Sequence, residues 1–248
     1  MPLSDQQDAF GHVLLDYLEG DHGAVEIVER DDGFIALSAG AGEYFSDPPA
    51  WGDLDQAALA AARGRVLDAG SGAGRFSLEL QRRGHEVVAI DTSPLAIEVC
   101  RCRGVRDARV LSVTSINRRL GRFDSIVMMG HNFGLFGGEQ RMRRLLRRMW
   151  DVTGPDGRII ANGMDPYQTR DPLHLAYHAR NRERGRMSGQ IRMRVRYKTY
   201  RTPWFDYLFV SVDELRVLIR DSGWHLTRHV TEEGPSYLAI LEKTGQGG

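Results

Sequence analysis

The sequence predicts an α/β fold in which a mostly parallel sheet is covered by helices on both faces. From Arg65 onward, short apolar runs alternate with segments of helical spacing, and the first run breaks into closely spaced glycines before its helix begins. Length agrees, because 248 residues accommodate one such sheet together with added segments.

Each element follows from local pattern. Ser4 and Gln7 stand at capping-box spacing, and Phe10, Val13, Leu14, Tyr17 and Leu18 then recur as a first amphipathic helix. Residues 25–30 and 34–37 flank Asp31-Asp32-Gly33 and read as a hairpin, so residues 1–60 are expected to form an accessory segment. Val66-Leu67-Asp68 ends in glycines, a helix runs to Gly84, and Val87-Val88-Ala89-Ile90 ends in Asp91. Ser93 as N-cap and Pro94 as the first helical residue open the next helix.

Further strands are expected at 108–113, 123–129 and 158–161. Met142, Leu145, Leu146, Met149 and Trp150 define an amphipathic helix whose outer face is arginine-rich. Residues 165–203 are too long for a simple crossover and contain an alternating stretch, 191–197, with Arg192, Arg194 and Arg196 on one side; they read as an insertion. Ser211 and Glu214 open the last helix, and 224–230 and 237–242 are expected to pair as antiparallel neighbours. The main domain is therefore expected over 61–164 and 204–248.

Lysine plus arginine and aspartate plus glutamate each number 33, so no global field draws the chain to nucleic acid or anionic lipid. Cys100 and Cys102 lie two apart in a helical pattern, where a bridge would distort the backbone. With no basic-then-apolar start and no run of about 18 apolar residues, a cytoplasmic protein is expected.

The chemistry concentrates after the first strand of the main domain. Gly70, Gly72 and Gly74 let backbone approach a ligand closely, and the following helix offers unpaired N–H donors. A dinucleotide loop would carry its third glycine at position 75, which is Arg75, and this disfavours a pyrophosphate. Asp91 falls roughly 20 residues beyond Gly70, the spacing at which a carboxylate accepts hydrogen bonds from ribose hydroxyls. Asp68, at the mouth of the same strand pair, suits a cation better than a phosphate.

Those residues carry a family resemblance. The stretch Val66-Leu67-Asp68-Ala69-Gly70-Ser71-Gly72-Ala73-Gly74-Arg75-Phe76 resembles the first motif of class I S-adenosylmethionine (SAM)-dependent methyltransferases. Val88-Ala89-Ile90-Asp91-Thr92-Ser93-Pro94 is similar to the ribose-binding motif of that family, and residues 123–130 to its fourth strand. Gly154-Pro155-Asp156-Gly157-Arg158-Ile159-Ile160 is similar to the turn and fifth strand, and residues 211–243 to the last helix and strand pair.

The resemblance implies a Rossmann-like, seven-stranded, mostly parallel sheet with the last strand antiparallel; the N-terminal segment and the insertion after the fifth strand, expected as a substrate cap, are additions to it. It implies SAM as cofactor, with S-adenosylhomocysteine as product and no metal. Asp68, Gly70, Ser71, Gly72 and Gly74 then meet the methionine end, Asp91 and Thr92 the ribose side, and Met129 and Gly130 the end of the fourth strand. Ser115 takes the place where many members carry an acidic residue near the adenine.

For the methyl acceptor, Gly130-His131-Asn132-Phe133-Gly134 is expected at the carboxyl end of the sheet, where open α/β sheets bind ligands. His131 is the base candidate, since imidazole titrates near neutrality; the alternative is a histidine that only shapes the loop. Tyr44, Phe45, Asn132, Tyr177 and Trp204 are candidate acceptor-lining residues, the first two as part of a lid. The chain lacks Asn/Asp-Pro-Pro-Tyr, which argues against methylation of planar amide or base nitrogens.

The expected reaction is methyl transfer to an oxygen or nitrogen of a small molecule, with no membrane partner. Residues 180–201 carry nine basic side chains against Glu183, which leaves an RNA or protein methyltransferase as an alternative, as is a non-catalytic SAM-binding subunit.

Overall fold

A computed structural model describes residues 2–243; Met1 and residues 244–248, the outer ends of the expected segments, lie outside the described part. The elements in chain order are α1 (Ala9–Leu18), β1 (Ile27–Arg30), β2 (Ile35–Leu37), α2 (Asp53–Ala61), β3 (Arg65–Ala69), α3 (Arg75–Arg82), β4 (Glu86–Asp91), α4 (Pro94–Cys102) and β5 (Ala108–Val110). They continue as β6 (Phe123–Met128), α5 (Glu139–Asp151), β7 (Thr153–Met164), α6 (Pro172–Glu183), β8 (Gln190–Tyr197), β9 (Tyr200–Arg201), β10 (Phe205–Leu208), α7 (Val212–Leu218), β11 (Trp224–Thr231) and β12 (Ser236–Lys243).

The main sheet has seven strands in the order β11-β12-β7-β6-β3-β4-β5. β4 pairs with β5 and β6 with β7 in parallel, whereas β12 runs antiparallel to both β7 and β11, so the last strand is the reversed one. This is the Rossmann-like α/β architecture expected. The central strands are apolar nearly throughout, as strands covered on both faces must be: Val66, Leu67, Val88, Ile126 and Ile160 are fully enclosed.

A second sheet has the order β10-β8-β1-β2, with β9 paired to β8. The hairpin of β1 and β2 matches expectation, but the strand expected within the insertion pairs with it: Val28 faces Val195 and Arg30 faces Met193 in antiparallel register.

By contacts the chain forms two compact units. One comprises the residues up to Trp51, Val66–Ser115 and Arg192–Phe205; the other comprises Gly52–Arg65, Ile116–Ile191 and the residues from Asp206 onward. In the first, Val13 and Leu14 of α1 pack with Ala96 and Val99 of α4 around a common core. Gly11 is required at this crossing, because a Cβ there would lie 2.4 Å from Ser93 Oγ. In the second, Met142, Leu145, Leu146 and Met149 form the buried stripe of α5, and Trp150 meets Trp224 edge-on at 5.7 Å.

Some boundaries differ from expectation for identifiable reasons. The Ser4/Gln7 capping box closes a 3₁₀ turn at Asp5–Gln7, while α1 is capped by Asp8, whose side chain accepts from Gly11 N–H. β5 stops at Val110, and Val113–Ser115 turn as a 3₁₀ helix instead of extending the strand. β7 is longer than expected, with residues 154–157 bulging between the Phe123–Thr153 and Ser125–Arg158 pairings.

Candidate functional site

In the first unit the glycine loop follows β3. Gly70, Gly72 and Gly74 have φ of 86°, 53° and 78°, all left-handed and unfavourable for a residue with a Cβ. Gly70 and Ser71 donate their N–H groups to Ile90 O at 2.8 and 3.1 Å, so the loop is tied back onto β4. Gly74 is tight as well: a Cβ there would lie 2.8 Å from Val105 Cγ2.

Asp91 ends β4. One carboxylate oxygen accepts Gly72 N–H at 3.1 Å and the other Ser93 N–H at 3.0 Å. Burial pushes its pKa up, partly offset by these donors, and the nearby Asp8 carboxylate pushes in the same direction as burial. Thr92 is half-buried and its carbonyl accepts Leu3 N–H.

Asp68, at the end of β3, is 2% exposed and accepts Ser77 Oγ–H at 2.6 Å. Burial raises its pKa to about 6; Ser77 and Arg75 counteract this, while Asp91 adds to it. Two carboxylates held near one another at left-handed backbone suit a ligand with a cationic group and hydroxyl donors. Cys100 lines the back of the loop, donating to Gly72 O at 3.1 Å, and burial pushes its thiol up to about 12. Ser115 is exposed, at the end of its 3₁₀ turn.

The accessory segment covers the loop within the same unit. Arg103 donates to Ala73 O at 2.7 Å and Tyr44 O at 3.1 Å, and its guanidinium lies 4.6 Å over Phe45. The Phe10 and Tyr44 rings meet edge-on at 5.1 Å, and both lie within 4 Å of where a Gly72 Cβ would be. Trp204 is half-buried beneath the Arg194 guanidinium at 4.6 Å. Motif reading missed Asp8, Ser77 and Arg103; only Ser77, on the first turn of the helix after the loop, carried a local signal.

In the second unit β6 leads into Met129, which is buried, and Gly130, which is exposed with φ 62°. His131 is one of two non-glycine residues with positive φ among the described residues, also at 62°. Three neighbours hold it: its N–H donates to Asn162 Oδ1 at 2.9 Å, its carbonyl accepts Tyr207 O–H at 2.6 Å, and Nε2 lies 3.0 Å from Ser236 Oγ. Burial lowers its pKa, with Asp55 opposing, so the imidazole is neutral at physiological pH. Asn132 begins a 3₁₀ turn and is half-buried, and Tyr177 on α6 is 2% exposed with Arg180 over its ring at 4.9 Å.

Part of the basic stretch is paired with acids. Arg194 makes a bidentate pair with Glu29 at 2.9 Å, Arg196 reaches the same carboxylate at 3.2 Å, Arg186 pairs with Asp206, and Lys198 with Asp16. Among the described residues no group of three or more His, Cys, Asp or Glu is arranged to hold a metal, and no helix is long and apolar enough to cross a membrane.

The sheet order and the glycine loop with its two carboxylates define the architecture of a SAM-binding methyltransferase domain. Residues 66–157 match the family model described as a methyltransferase domain. A SAM-dependent methyltransferase from Bacteroides fragilis, solved in complex with S-adenosylhomocysteine, superposes with a TM-score of 0.84 at 29% identity over 98% of both chains. The glycine/sarcosine N-methyltransferase of Halorhodospira halochloris is 28% identical over 102 residues, 39% of this chain and 38% of that protein. The magnesium-protoporphyrin O-methyltransferase of Rhodobacter capsulatus is 39% identical over 69 residues, 26% of this chain and 31% of the relative. The matches thus span about a third of the length of these curated relatives. Residues 66–157 thus match a methyltransferase domain, and the fold is that of a SAM-dependent methyltransferase solved with S-adenosylhomocysteine.

Proposed function

We propose that the protein transfers a methyl group from SAM to an oxygen or nitrogen of a small-molecule acceptor. The observation that carries this reading is the Gly72–Asp91 arrangement: a left-handed glycine whose N–H holds a carboxylate at the end of β4. Bound SAM would supply an electrophilic methyl on a sulfonium.

The residues fit that group by their chemistry. Asp91 retains acceptor capacity beyond its backbone donors, as a carboxylate offers about four lone-pair positions, and we assign it to ribose hydroxyls. We assign Asp68 to the ammonium, because a cation compensates a buried carboxylate whose pKa burial has raised to about 6. Gly70, Ser71, Gly72 and Gly74 line the methionine end, Thr92 and Ser115 the nucleoside side, and Met129 and Gly130 complete the cofactor set.

His131 is the base in this reading. Neutral and fixed by Asn162, Tyr207 and Ser236, it accepts a proton from an acceptor hydroxyl or ammonium. Tyr44, Phe45, Asn132, Tyr177 and Trp204 are assigned to the acceptor, residues 1–60 and 165–203 to its cover. The pairing of Arg194, Arg196 and Lys198 with Glu29 and Asp16 supports a small molecule over RNA. The exposed free thiol of Cys102 supports a reducing compartment, the cytoplasm.

Isothermal titration with SAM and S-adenosylhomocysteine tests the cofactor, and transfer of labelled methyl into a metabolite extract tests turnover. Folded protein that binds neither ligand overturns the reading; binding without incorporation reduces the protein to a SAM-binding subunit.

A further inference from the structure

Glu26 is a buried carboxylate that the cofactor reading leaves unused. It is 3% exposed; Oε1 accepts Tyr44 O–H at 2.9 Å, while Oε2 has no hydrogen-bond partner and Glu26 no ion pair among the described residues. A buried acceptor without a donor is unfavourable, and an anion without a counter-charge more so, unless a ligand completes it.

Its position relates it to the glycine loop within the first unit. The Tyr44 ring that reaches Glu26 also lies 3.8 Å, at Cδ1, from where a Gly72 Cβ would be. One tyrosine therefore spans from the carboxylate to the loop.

The face on which Glu26 lies is apolar, and Val195 on it packs against the core of the first unit. Side chains alternate along an extended strand, and Ser38 N–H donates to Glu26 O, so Glu26, Val28 and Arg30 share one face. Register places Val195 opposite Val28 and Met193 opposite Arg30 on that face, and Val28, Val195 and Met193 are only half-buried. Arg30, about 13 Å along the strand at its ordinary rise, is already neutralised by Asp32 through hydrogen bonds of 2.8 and 2.9 Å. The face thus combines half-buried apolar side chains with one carboxylate oxygen that lacks a donor.

We propose that this face binds the methyl acceptor, and that the acceptor is an apolar small molecule carrying an ammonium group that pairs with Glu26 Oε2. The proposal rests on the methyltransferase reading above and narrows its substrate class to cationic amines. Glu26 anchors the acceptor; the atom that receives the methyl group is a separate matter.

The test compares 2-phenylethylamine with its neutral isostere 2-phenylethanol, by saturation-transfer NMR titration on protein saturated with S-adenosylhomocysteine. Wild-type protein is expected to bind the amine tighter by about tenfold or more, the ratio that one charge-assisted hydrogen bond supplies. E26Q removes the preference, bringing the amine's affinity to that of the alcohol, with S-adenosylhomocysteine affinity unchanged. Equal affinities in the wild type, no detectable amine binding, or a preference that survives in E26Q each overturn the proposal. The wild-type comparison needs no variant and decides even if E26Q misfolds. Protein that binds S-adenosylhomocysteine but shows no amine preference refutes this inference alone, whereas protein that binds no S-adenosylhomocysteine removes the methyltransferase reading and this inference with it.

Discussion

Gly72 donates its backbone N–H to Asp91 Oδ2 at 3.1 Å, so the loop after β3 and the carboxylate at the end of β4 are set by one hydrogen bond. Asp91→Ala removes both the loop's anchor and the proposed ribose acceptor. Loss of one hydrogen bond to a charged group, about 1.5–3 kcal/mol, weakens S-adenosylhomocysteine binding by roughly tenfold to a hundredfold or more in calorimetry. Gly72→Ala adds a Cβ at φ 53° and is expected to cost about 1–2 kcal/mol of stability in urea titration.

Asp68 links cofactor binding to pH. Its folded-state pKa of about 6 lies above the ordinary 3.8, so the folded protein holds a proton that the unfolded chain has released. Stability of the ligand-free protein is therefore highest below pH 3.8 as far as this group is concerned, and falls by about 3 kcal/mol as pH rises through 6. Asp68→Asn removes that slope from urea titrations at a series of pH values. Because an ammonium favours the ionised carboxylate, S-adenosylhomocysteine affinity rises about tenfold per pH unit below 6 and then levels.

His131 has the opposite sign. Its pKa is lowered by burial, so the neutral form contributes stability that is present above the usual imidazole value and is lost as pH falls through the lowered one. His131→Gln flattens the acid limb of the stability profile. In the base role it also lowers turnover by about 10²–10⁴-fold with cofactor affinity intact; unchanged turnover would leave His131 a loop residue.

Asp8 caps two helices at once. Its Oδ1 accepts Gly11 N–H at 3.1 Å and Oδ2 accepts Leu95 N–H at 3.0 Å. Asp8→Ala is expected to cost about 1–3 kcal/mol, the range of one to two lost caps, and Asp8→Asn, which keeps a single acceptor, a smaller amount. Thermal melts of the two variants measure the difference.

The two cysteines differ in reactivity. Cys102 is exposed, and Cys100 is buried with its thiol pushed up to about 12. Ellman's reagent should titrate one thiol in the native protein and both after denaturation in guanidinium. Rapid native modification of both would contradict the packing behind the glycine loop.

What could be read in advance was what depends on neighbours in the chain. The glycine loop, Asp91, the Ser93–Pro94 helix start and the Ser211–Glu214 capping box are local chemistry, and each stands where its spacing places it. Asp8 was invisible because its second partner, Leu95, is distant in sequence, and the Ser4/Gln7 box drew the helix start to a turn that closes before α1. Glu26 and Arg103 carry no motif; only the fold brings them to Tyr44 and the loop. The shape of the acceptor surface depends on strand pairing between remote segments, and periodicity does not encode a partner.

That pairing bears on how the chain is made. β1 is synthesised early, yet its partner β8 follows only after most of the main sheet has been translated. During vectorial synthesis the Ile27–Arg30 edge must wait uncovered, and long sequence separation slows its closure. The small sheet should accordingly be the last part to gain amide-exchange protection on refolding, with the nucleotide-fold core assembling first.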